Sequence, residues 1–161
     1  MQHTIATVGV YGAALERFLR ALADADVGVV LDVRQRRGVR GPEYSWANSK
    51  RLQRALAEAG LGYRHLRALA PTTELRHLQY AIDDAAGVGK RSRTQLAPEY
   101  VERYRREILD HADLGELLDS LPDEGIGALM CVERDPEACH RSLIAERLAN
   151  EYGFAVLDLR P

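Results

Sequence analysis

Two short apolar segments, each followed by a polar turn, constrain the fold of this chain more than any other feature. Residues 27–33 and 126–132 are almost continuously apolar and contain many β-branched or small side chains. Such segments are typical of strands that are buried on both faces of a parallel sheet. Stretches of helical periodicity lie between the apolar segments, and parallel strands require such crossovers. The sequence therefore predicts an α/β fold, a three-layer sandwich with a mainly parallel central sheet flanked by helices.

Periodicity and chain-breaking residues place the other elements along the sequence. We predict further strands at residues 3–8, 63–66 and 155–159, and loops at residues 35–44 and 87–95. The predicted helices span residues 14–25, 45–59, 71–86, 98–109, 113–121 and 136–152. With 161 residues and 46% hydrophobic content, the chain is expected to form a single α/β domain over residues 1–161.

Composition also limits the classes of protein to which the chain can belong. A continuous apolar stretch of about 18 residues is missing, and the first residues lack the pattern of a secretory signal. We therefore expect a soluble, cytoplasmic protein without a membrane partner. Two cysteines in a chain without a secretory signal argue against a disulfide scaffold, so both are expected to be reduced. The sequence carries no signal for a particular oligomeric state.

Basic residues are concentrated in one region, although the formal net charge of the whole chain is only −2. A second basic cluster, Lys90, Arg91 and Arg93, falls in the predicted loop 87–95. This asymmetry favours an anionic or phosphorylated ligand, and nucleic acid is one such partner. The alternative is that the charges only solvate a surface. The main region has Glu43 as its single acidic residue and seven basic ones, Arg34, Arg36, Arg37, Arg40, Lys50, Arg51 and Arg54.

The densest group of chemically active side chains lies in residues 131–141, which contain two thiols, an imidazole, guanidinium groups and carboxylates. Asp135 is a suitable N-cap, and Pro136 suits the first position of the helix predicted to follow it. Residues 139–141 would then lie just past the first helical turn. Backbone N–H groups and the positive end of the helix dipole are close to that position, so an anion could be held there.

The predicted topology brings this segment together with the ends of two other strands. In open α/β sheets, ligands bind beyond the carboxyl ends of the strands. Gly9 and Tyr11 follow the first predicted strand, and Asp32 and Arg34 stand at the end of the second. We expect these residues to share one end of the sheet with residues 131–141, where the basic loop would overhang them.

Three residues of the segment are candidates for catalysis. Cys139, beside His140 and near a helix N-terminus, is expected to have a lowered pKa and to act as a nucleophile. The general base would be His140, or Glu133 if burial raised its pKa. Adjacent side chains on a helix point about 100° apart, however, so the predicted helix keeps Cys139 and His140 from facing one small atom.

Arginine is the preferred candidate for binding an anion, because its guanidinium group binds phosphate in bidentate geometry. An alternative role for the two arginines nearest the sheet end is a structural ion pair, Asp32–Arg34 or Glu133–Arg141. The candidate residues for binding a substrate or anion are Asp32, Arg34, Arg36, Arg37, Tyr44 and Arg141.

Aromatic side chains among the basic residues suggest one particular anion. Tyr44 and Trp46 lie within the basic region, and such combinations stack and neutralise single-stranded nucleic acid. Trp46 is the only tryptophan of the chain, and we favour a role for it as a core anchor.

The two cysteines suggest two further kinds of site, neither of which the sequence favours. A zinc site would use Cys131, Cys139 and His140, but the closely spaced ligand pairs of structural zinc sites are missing. A redox pair of Cys131 and Cys139 lacks the Cys-x-x-Cys arrangement. Cys131, at the end of an apolar strand, is expected to be a small buried hydrophobe. We therefore predict no metal and no cofactor.

Several different short motifs are distributed along the whole chain. The most specific is Cys131-x-Glu133 followed by Cys139-His140-Arg141. The others are Thr7-Val8-Gly9, Asp32-Val33-Arg34, Pro42-Glu43-Tyr44 with Asn48, Tyr63-Arg64-His65-Leu66, and the pair Tyr100 and Tyr104. In these residues the chain resembles the bacterial and archaeal "domain of unknown function 488" family. The resemblance implies an α/β fold with a shared polar site, and it supplies no established reaction.

Two positions depart from the pattern of that family. Gly9 is followed by Val10 and Tyr11, where many members look like Gly-His-Ser. Leu69-Ala70-Pro71 stands where Leu-Gly-Gly is often found. A polar group that could act in other members is therefore absent here.

Two functional hypotheses follow from these residues. The first is an enzyme, a hydrolase or transferase, that acts on a phosphorylated, nucleotide or nucleic-acid substrate through the Cys/Glu/His/Arg site at the carboxyl ends of the strands. The second is a non-catalytic nucleic-acid-binding module that uses the basic region 34–54. In the second hypothesis, the cysteine motif only braces the fold.

Overall fold

The central element of the structure is a five-stranded sheet in which all neighbouring strands run parallel. The computed structural model describes residues 3–89 and 91–161, so Lys90 of the second basic cluster lies outside the described residues. The strands are β1 (Thr4–Val8), β2 (Val27–Asp32), β3 (Gly62–His65), β4 (Ile126–Met130) and β5 (Ala155–Leu159). Their order across the sheet is β3-β2-β4-β1-β5.

Helices cover both faces of this sheet. On one face lie α1 (Leu15–Asp24) and α2 (Ser49–Glu58). On the other lie α3 (Thr73–Ala85), α4 (Pro98–Glu107), α5 (Gly115–Asp119) and α6 (Arg141–Tyr152). Short 3-10 helices occupy Pro42–Ala47, Arg67–Leu69, Leu109–His111 and Pro136–Ala138. This arrangement confirms the predicted three-layer α/β fold.

Alternate residues of the central strands point into two separate cores. Met130 of β4 packs with Phe18 of α1 and Leu52 of α2. Leu129, the preceding residue, belongs to the opposite core with Leu148 of α6. All five side chains are fully buried. Because both faces of the central strands are covered, their sequences are continuously apolar and do not alternate.

The helix predicted over residues 136–152 is wrong in its first turn. Its start is a separate 3-10 helix, Pro136–Ala138, and α6 begins only at Arg141. Cys139, between the two, has an extended backbone with φ −138° and ψ 145°. The carbonyl oxygen of Ala138 accepts hydrogen bonds from the Arg93 guanidinium, which lies in a distant part of the sequence. A tertiary contact thus holds the backbone at the residue before Cys139.

The helix predicted over residues 45–59 is also shorter than expected. The end of the predicted loop 35–44 and the start of this helix form the 3-10 helix Pro42–Ala47, and α2 begins at Ser49. Asn48 separates the two in an extended conformation. Its side-chain oxygen accepts a hydrogen bond from Val39 N at 2.7 Å, so it holds the basic loop and does not cap α2.

The connections of the sheet diverge between β2 and β4. The chain leaves β2 toward β3 on one side and leaves β4 toward β5 on the other. In open α/β sheets, the carboxyl ends of the strands at such a point form the crevice where ligands bind. The topology therefore places the loops that follow β2 and β4 at this crevice.

Candidate active site

A cavity of about 590 Å³ lies at the carboxyl ends of β2 and β4. Its walls come from the loops that follow these strands, from α3 and from the loop before α4. A cavity of this size is typical of small-molecule sites. Among the described residues, Glu133 is the single acidic side chain that lines it. The basic lining residues include Arg34, Arg36, Arg40, Arg76, Arg91 and Arg93. Of these arginines, Arg34, Arg91 and Arg93 are paired with carboxylates.

Cys139 and His140 meet in the wall of this cavity. Cys139 Sγ lies 3.6 Å from His140 Nδ1. His140 Nε2 lies 2.7 Å from the carbonyl oxygen of Val33. Because a carbonyl oxygen only accepts, Nε2 carries a proton, and Nδ1 is directed at the sulfur. The expectation that the two side chains point apart is wrong, since it assumed a helix at both positions.

The surroundings of Cys139 favour its thiolate form. Burial alone would raise the pKa of Cys139, but the Cys131 thiol and the positive charges of His140 and Arg141 lower it well below that of an ordinary cysteine. The interaction with Cys139, together with burial, raises the pKa of Cys131 well above the ordinary value. Burial opposes the charged form of His140, yet the neighbouring thiolate raises the pKa of His140. These shifts favour the thiolate form of Cys139, the imidazolium form of His140 and the neutral form of Cys131.

A buried ion-pair network holds Glu133 at the same cavity. Arg93 donates to Glu133 Oε1 at 2.8 Å and to Asp83 Oδ2 at 2.6 Å. Glu133 Oε2 is buried and has no hydrogen-bond partner among the described residues. Burial and the charge of Cys139 raise the pKa of Glu133 to about 7, although Arg93 opposes the shift. A carboxyl group with this pKa can donate or accept a proton near neutral pH.

The raised pKa of Glu133 predicts a pH-dependent stability difference between the wild type and Glu133→Gln. The pKa of Glu133 is 4.5 ordinarily and about 7 in the folded state, so between these two pH values the folded state keeps a proton that the unfolded state has released. The free energy of unfolding of the wild type therefore falls as pH rises through this window. Glutamine resembles the neutral acid and does not titrate. We expect the variant to gain on the order of 2 kcal/mol relative to the wild type between pH 5 and pH 8.

Urea unfolding at several pH values measures this gain. Glu137→Gln, at an exposed position of the same turn, is the matched control for the substitution. A stability difference between the wild type and Glu133→Gln that stays constant with pH would contradict the raised pKa.

Asp32 and Arg34 form a buried ion pair at the end of β2. Arg34 Nε and NH2 donate to the two carboxylate oxygens of Asp32 at 2.9 and 2.8 Å, and NH1 donates to Ala47 O at 2.9 Å. The Tyr63 hydroxyl donates to the same carboxylate, and a His65 ring nitrogen lies 2.8 Å from Arg34 O. The Asp32–Arg34 ion pair, one of the two roles that the sequence allowed for Arg34, is thus present. It anchors the basic loop across the end of the sheet.

Arg141 is fully buried and directed at the backbone. Its NH1 and NH2 donate to the carbonyl oxygens of Glu133 and Arg134 at 2.7 and 3.1 Å. The Glu133 carboxylate pairs with Arg93, so the alternative Glu133–Arg141 ion pair is not formed. Arg141 is not one of the lining residues of the cavity, but its charge contributes to the lowered pKa of Cys139. It closes the turn and favours the thiolate.

The other predicted binding residues lie at different distances from the cavity. Arg36 is exposed and lines the cavity. Arg37 is half-buried, and its NH1 lies 3.4 Å from the Tyr63 hydroxyl. Tyr44 packs against Tyr11, with 5.3 Å between ring centroids, and Tyr11 lines the cavity. The structure therefore brings Arg36 directly to the cavity and Tyr44 to its margin.

Comparison with protein families agrees with the motifs found in the sequence. The family described as "Domain of unknown function DUF488" matches residues 14–148, which include both the buried ion pair at β2 and the cysteine turn. The chain belongs to the DUF488 family. No curated protein and no solved structure matches this DUF488 chain. Among residues 3–89 and 91–161, none of its helices combines the length and apolar character of a membrane span.

Trp46 has the role in this DUF488 chain that the sequence favoured. Its ring packs against Phe18, with 4.8 Å between ring centroids, and against the core beneath α1 and α2. It is not among the lining residues of the cavity. Core packing of Trp46 is therefore confirmed.

Sequence reasoning missed the contribution of α3 and the loop that follows it. Arg93 organises the network around Glu133, and its partner Asp83 lies on α3. Arg76, also on α3, lines the cavity and donates to Gln35 and Tyr80. The sequence signal for this loop was its basic cluster. That cluster did not indicate that the loop folds over the end of the sheet.

Three donor atoms at the cavity wall are close enough to share a soft metal ion. Cys131 Sγ, Cys139 Sγ and a His140 ring nitrogen all lie within 4.8 Å of one another. Cys139 and His140 are adjacent in sequence and already contact each other, whereas structural zinc sites commonly use ligands that are spaced apart. The arrangement is therefore less typical of a structural zinc site than of a cysteine beside a histidine.

Proposed function

We propose that this DUF488 protein is an enzyme, a hydrolase or transferase, whose Cys139 thiolate attacks a phosphorylated, nucleotide-type substrate. The observation that carries the proposal is the 3.6 Å contact between Cys139 Sγ and His140 Nδ1 in the wall of an arginine-lined cavity. A cysteine next to a protonated histidine is ionised at neutral pH and therefore nucleophilic. In this proposal, Cys139 is the nucleophile and His140 maintains its charge.

Glu133 suits the proton transfers that such a reaction needs. In the first step, Cys139 Sγ bonds to the electrophilic phosphorus or glycosidic carbon while the bond to the leaving group breaks. Protonated Glu133 supplies the proton to that leaving group. In the second step, the Glu133 carboxylate takes a proton from water, or from an acceptor hydroxyl in a transferase. The resulting oxygen nucleophile displaces Cys139, which leaves as the thiolate.

Arg36, Arg40 and Arg76 are our candidates for binding the phosphate. All three line the cavity, and none has a carboxylate partner among the described residues. Arg34 and Arg93, by contrast, are neutralised by buried carboxylates. Arg36 and Arg40 are exposed, so they can reach a ligand at the rim without breaking an existing ion pair. We therefore propose that these three residues bind the anion, and that Arg34 and Arg141 do not.

Aromatic side chains favour a nucleotide among phosphorylated ligands. Tyr11, Tyr80 and Tyr100 line the cavity together with the arginines. The Arg91 guanidinium, which pairs with Glu43, lies 5.0 Å from the Tyr11 ring centroid and 5.2 Å from that of Tyr44, so aromatic and guanidinium surfaces lie together beside the cavity. Nucleobases stack on such surfaces.

The proposal is tested by measuring turnover on a panel of nucleotides, other phosphate esters and short oligonucleotides. We expect release of phosphate or base from at least one class, together with a covalent adduct on Cys139 detected by intact mass under single-turnover conditions. Cys139→Ser should abolish both. Arg36→Ala and Arg40→Ala should raise KM about tenfold or more with kcat nearly unchanged, as for loss of a charged hydrogen bond. Equal turnover by Cys139→Ser, or no turnover and no adduct across the panel, would overturn it.

The nucleic-acid-binding module is the second candidate, because part of the basic region lies away from the cavity. Lys50, Arg51 and Arg54 are exposed on α2 and do not line it. Fluorescence anisotropy of a labelled oligonucleotide at low and high salt distinguishes binding at this surface from binding in the cavity. Salt-sensitive binding lost in Lys50→Ala/Arg54→Ala but retained in Arg36→Ala/Arg40→Ala would favour the module, and the reverse pattern would favour the cavity.

A further inference from the structure

The proposed reaction leaves one thiol of the cavity without a role. Cys131 follows β4 directly, is 6% exposed and lines the same cavity as Cys139. The two sulfur atoms lie within 4.8 Å of each other. Both cysteines are free thiols in the structure.

We propose that Cys131 and Cys139 form a site of reversible oxidative modification, in which Cys139 reacts with a hydroperoxide and Cys131 then closes an intramolecular disulfide. The inference names a regulation of the proposed active site and rests on the proposed function only for the reactivity of Cys139. Formation of the disulfide would remove the nucleophile and stop the reaction.

The surroundings of the two sulfur atoms assign them different steps. Cys139 contacts His140 Nδ1 and is stabilised as a thiolate, which is the form that reacts with peroxides. Cys131 keeps its proton, because its pKa is raised by Cys139 and by burial. An initial attack by Cys139, followed by attack of Cys131 on the oxidised sulfur, is the order that this difference favours.

The chemistry balances with a hydroperoxide as the oxidant. The Cys139 thiolate attacks one peroxide oxygen, so that an S–O bond forms and the O–O bond breaks. Hydroxide or alkoxide leaves and takes a proton from the imidazolium of His140. The Cys131 sulfur then attacks the sulfenic sulfur of Cys139; the S–S bond forms, the S–O bond breaks, and water leaves with the Cys131 proton. The peroxide is reduced, the two thiols are oxidised, and an external thiol reverses the reaction.

The backbone around the two cysteines is compatible with closure. A disulfide needs an S–S distance of about 2 Å, so the sulfur atoms must move closer together. Cys139 lies in an extended junction between Pro136–Ala138 and α6, and its shift does not have to break the interior of a helix. Cys131 is held to β1 by a hydrogen bond from its backbone N–H to Val8 O. Cys139 is therefore the partner that moves.

The experiment exposes the reduced protein to graded hydrogen peroxide, blocks the remaining thiols with N-ethylmaleimide, and reads the products by intact mass and peptide mapping. We expect the wild type to lose two hydrogens and to yield a Cys131–Cys139 cross-linked peptide that dithiothreitol reverses. Cys131→Ser keeps a hydrogen-bond donor beside Cys139 and should instead accumulate a sulfenic acid that dimedone traps. Cys139→Ser should give neither product at the same dose, and thermal unfolding confirms that both variants are folded.

Two outcomes would overturn the inference. One is a wild type in which Cys139 proceeds to sulfinic acid while Cys131 remains free, and the other is a wild type that stays reduced at doses that oxidise free glutathione. A covalent substrate intermediate on Cys139 without a disulfide would refute only this inference. A disulfide in a protein that turns over no substrate would refute only the proposed function.

Discussion

Replacing Arg34 with methionine is expected to lower the free energy of unfolding by about 3–5 kcal/mol, because it leaves Asp32 as an uncompensated buried charge. Asp32 is fully buried, and Arg34 is only 2% exposed. The Arg34 side chain supplies both carboxylate oxygens of Asp32 with a donor. The substitution also removes the bond to Ala47 O that ties the basic loop to the sheet end. A residue that served only to bind an anion would be replaced at little cost in stability.

Urea unfolding of three variants tests this expectation. Arg36→Met is the matched control, since Arg36 is exposed, and a change within about 0.5 kcal/mol is expected there. Asp32→Asn/Arg34→Met removes both charges and should recover part of the stability that Arg34→Met loses. If Arg34→Met is as stable as Arg36→Met, the assignment of Arg34 to a structural ion pair is wrong.

Cys139 is expected to ionise at a lower pH than an ordinary cysteine, which is only about 3% thiolate at pH 7. The thiolate fraction of Cys139 should therefore be clearly higher than that of an ordinary cysteine at the same pH. Burial raises the pKa of Cys139, but the hydrogen bond with the Cys131 thiol and the positive charges of His140 and Arg141 together outweigh this effect. Ultraviolet absorbance of the thiolate, followed from low to high pH, measures this fraction directly and does not depend on access of a reagent.

Three variants assign the signal in this titration. Cys139→Ser should remove the thiolate seen at neutral pH, while Cys131→Ser should retain it. His140→Gln keeps a hydrogen-bonding group but cannot become an imidazolium, so it should move the transition to higher pH. A wild type whose first thiolate appears only above pH 8 would contradict the thiolate–imidazolium pair and, with it, the nucleophile of the proposed reaction.

Several of the short motifs found in the sequence are physically connected in the structure. Val33 O accepts from the His140 ring, and Asp32 accepts from both Arg34 and Tyr63. His65 reaches the backbone of Arg34. Residues that are far apart in sequence thus form one buried network beneath the cavity. This network links the ends of β2 and β3 to the turn that follows β4.

The residues that follow β1 pack closely against the turn that follows β4. A Cβ atom at Gly9 would lie 2.0 Å from the carbonyl oxygen of Glu133, so only glycine permits this close approach. The backbone N–H groups of Val10 and Tyr11 both donate to Val132 O. Val10 is fully buried, whereas Tyr11 lines the cavity. The aromatic ring of Tyr11 therefore forms part of the cavity wall directly after β1.

The sequence by itself determined the layered α/β fold, because strands buried on two faces need apolar side chains at every position and amphipathic helices to cover them. It also indicated that the ends of β2 and β4 share one site, since parallel strands place their carboxyl ends together. The contact between Cys139 and His140 was decided only by tertiary structure. It depends on the extended junction before α6 and on Arg93, which binds the Ala138 carbonyl from a loop more than forty residues away in sequence. Local propensity favoured a continuous helix there, and long-range hydrogen bonds to a buried cation overrode it.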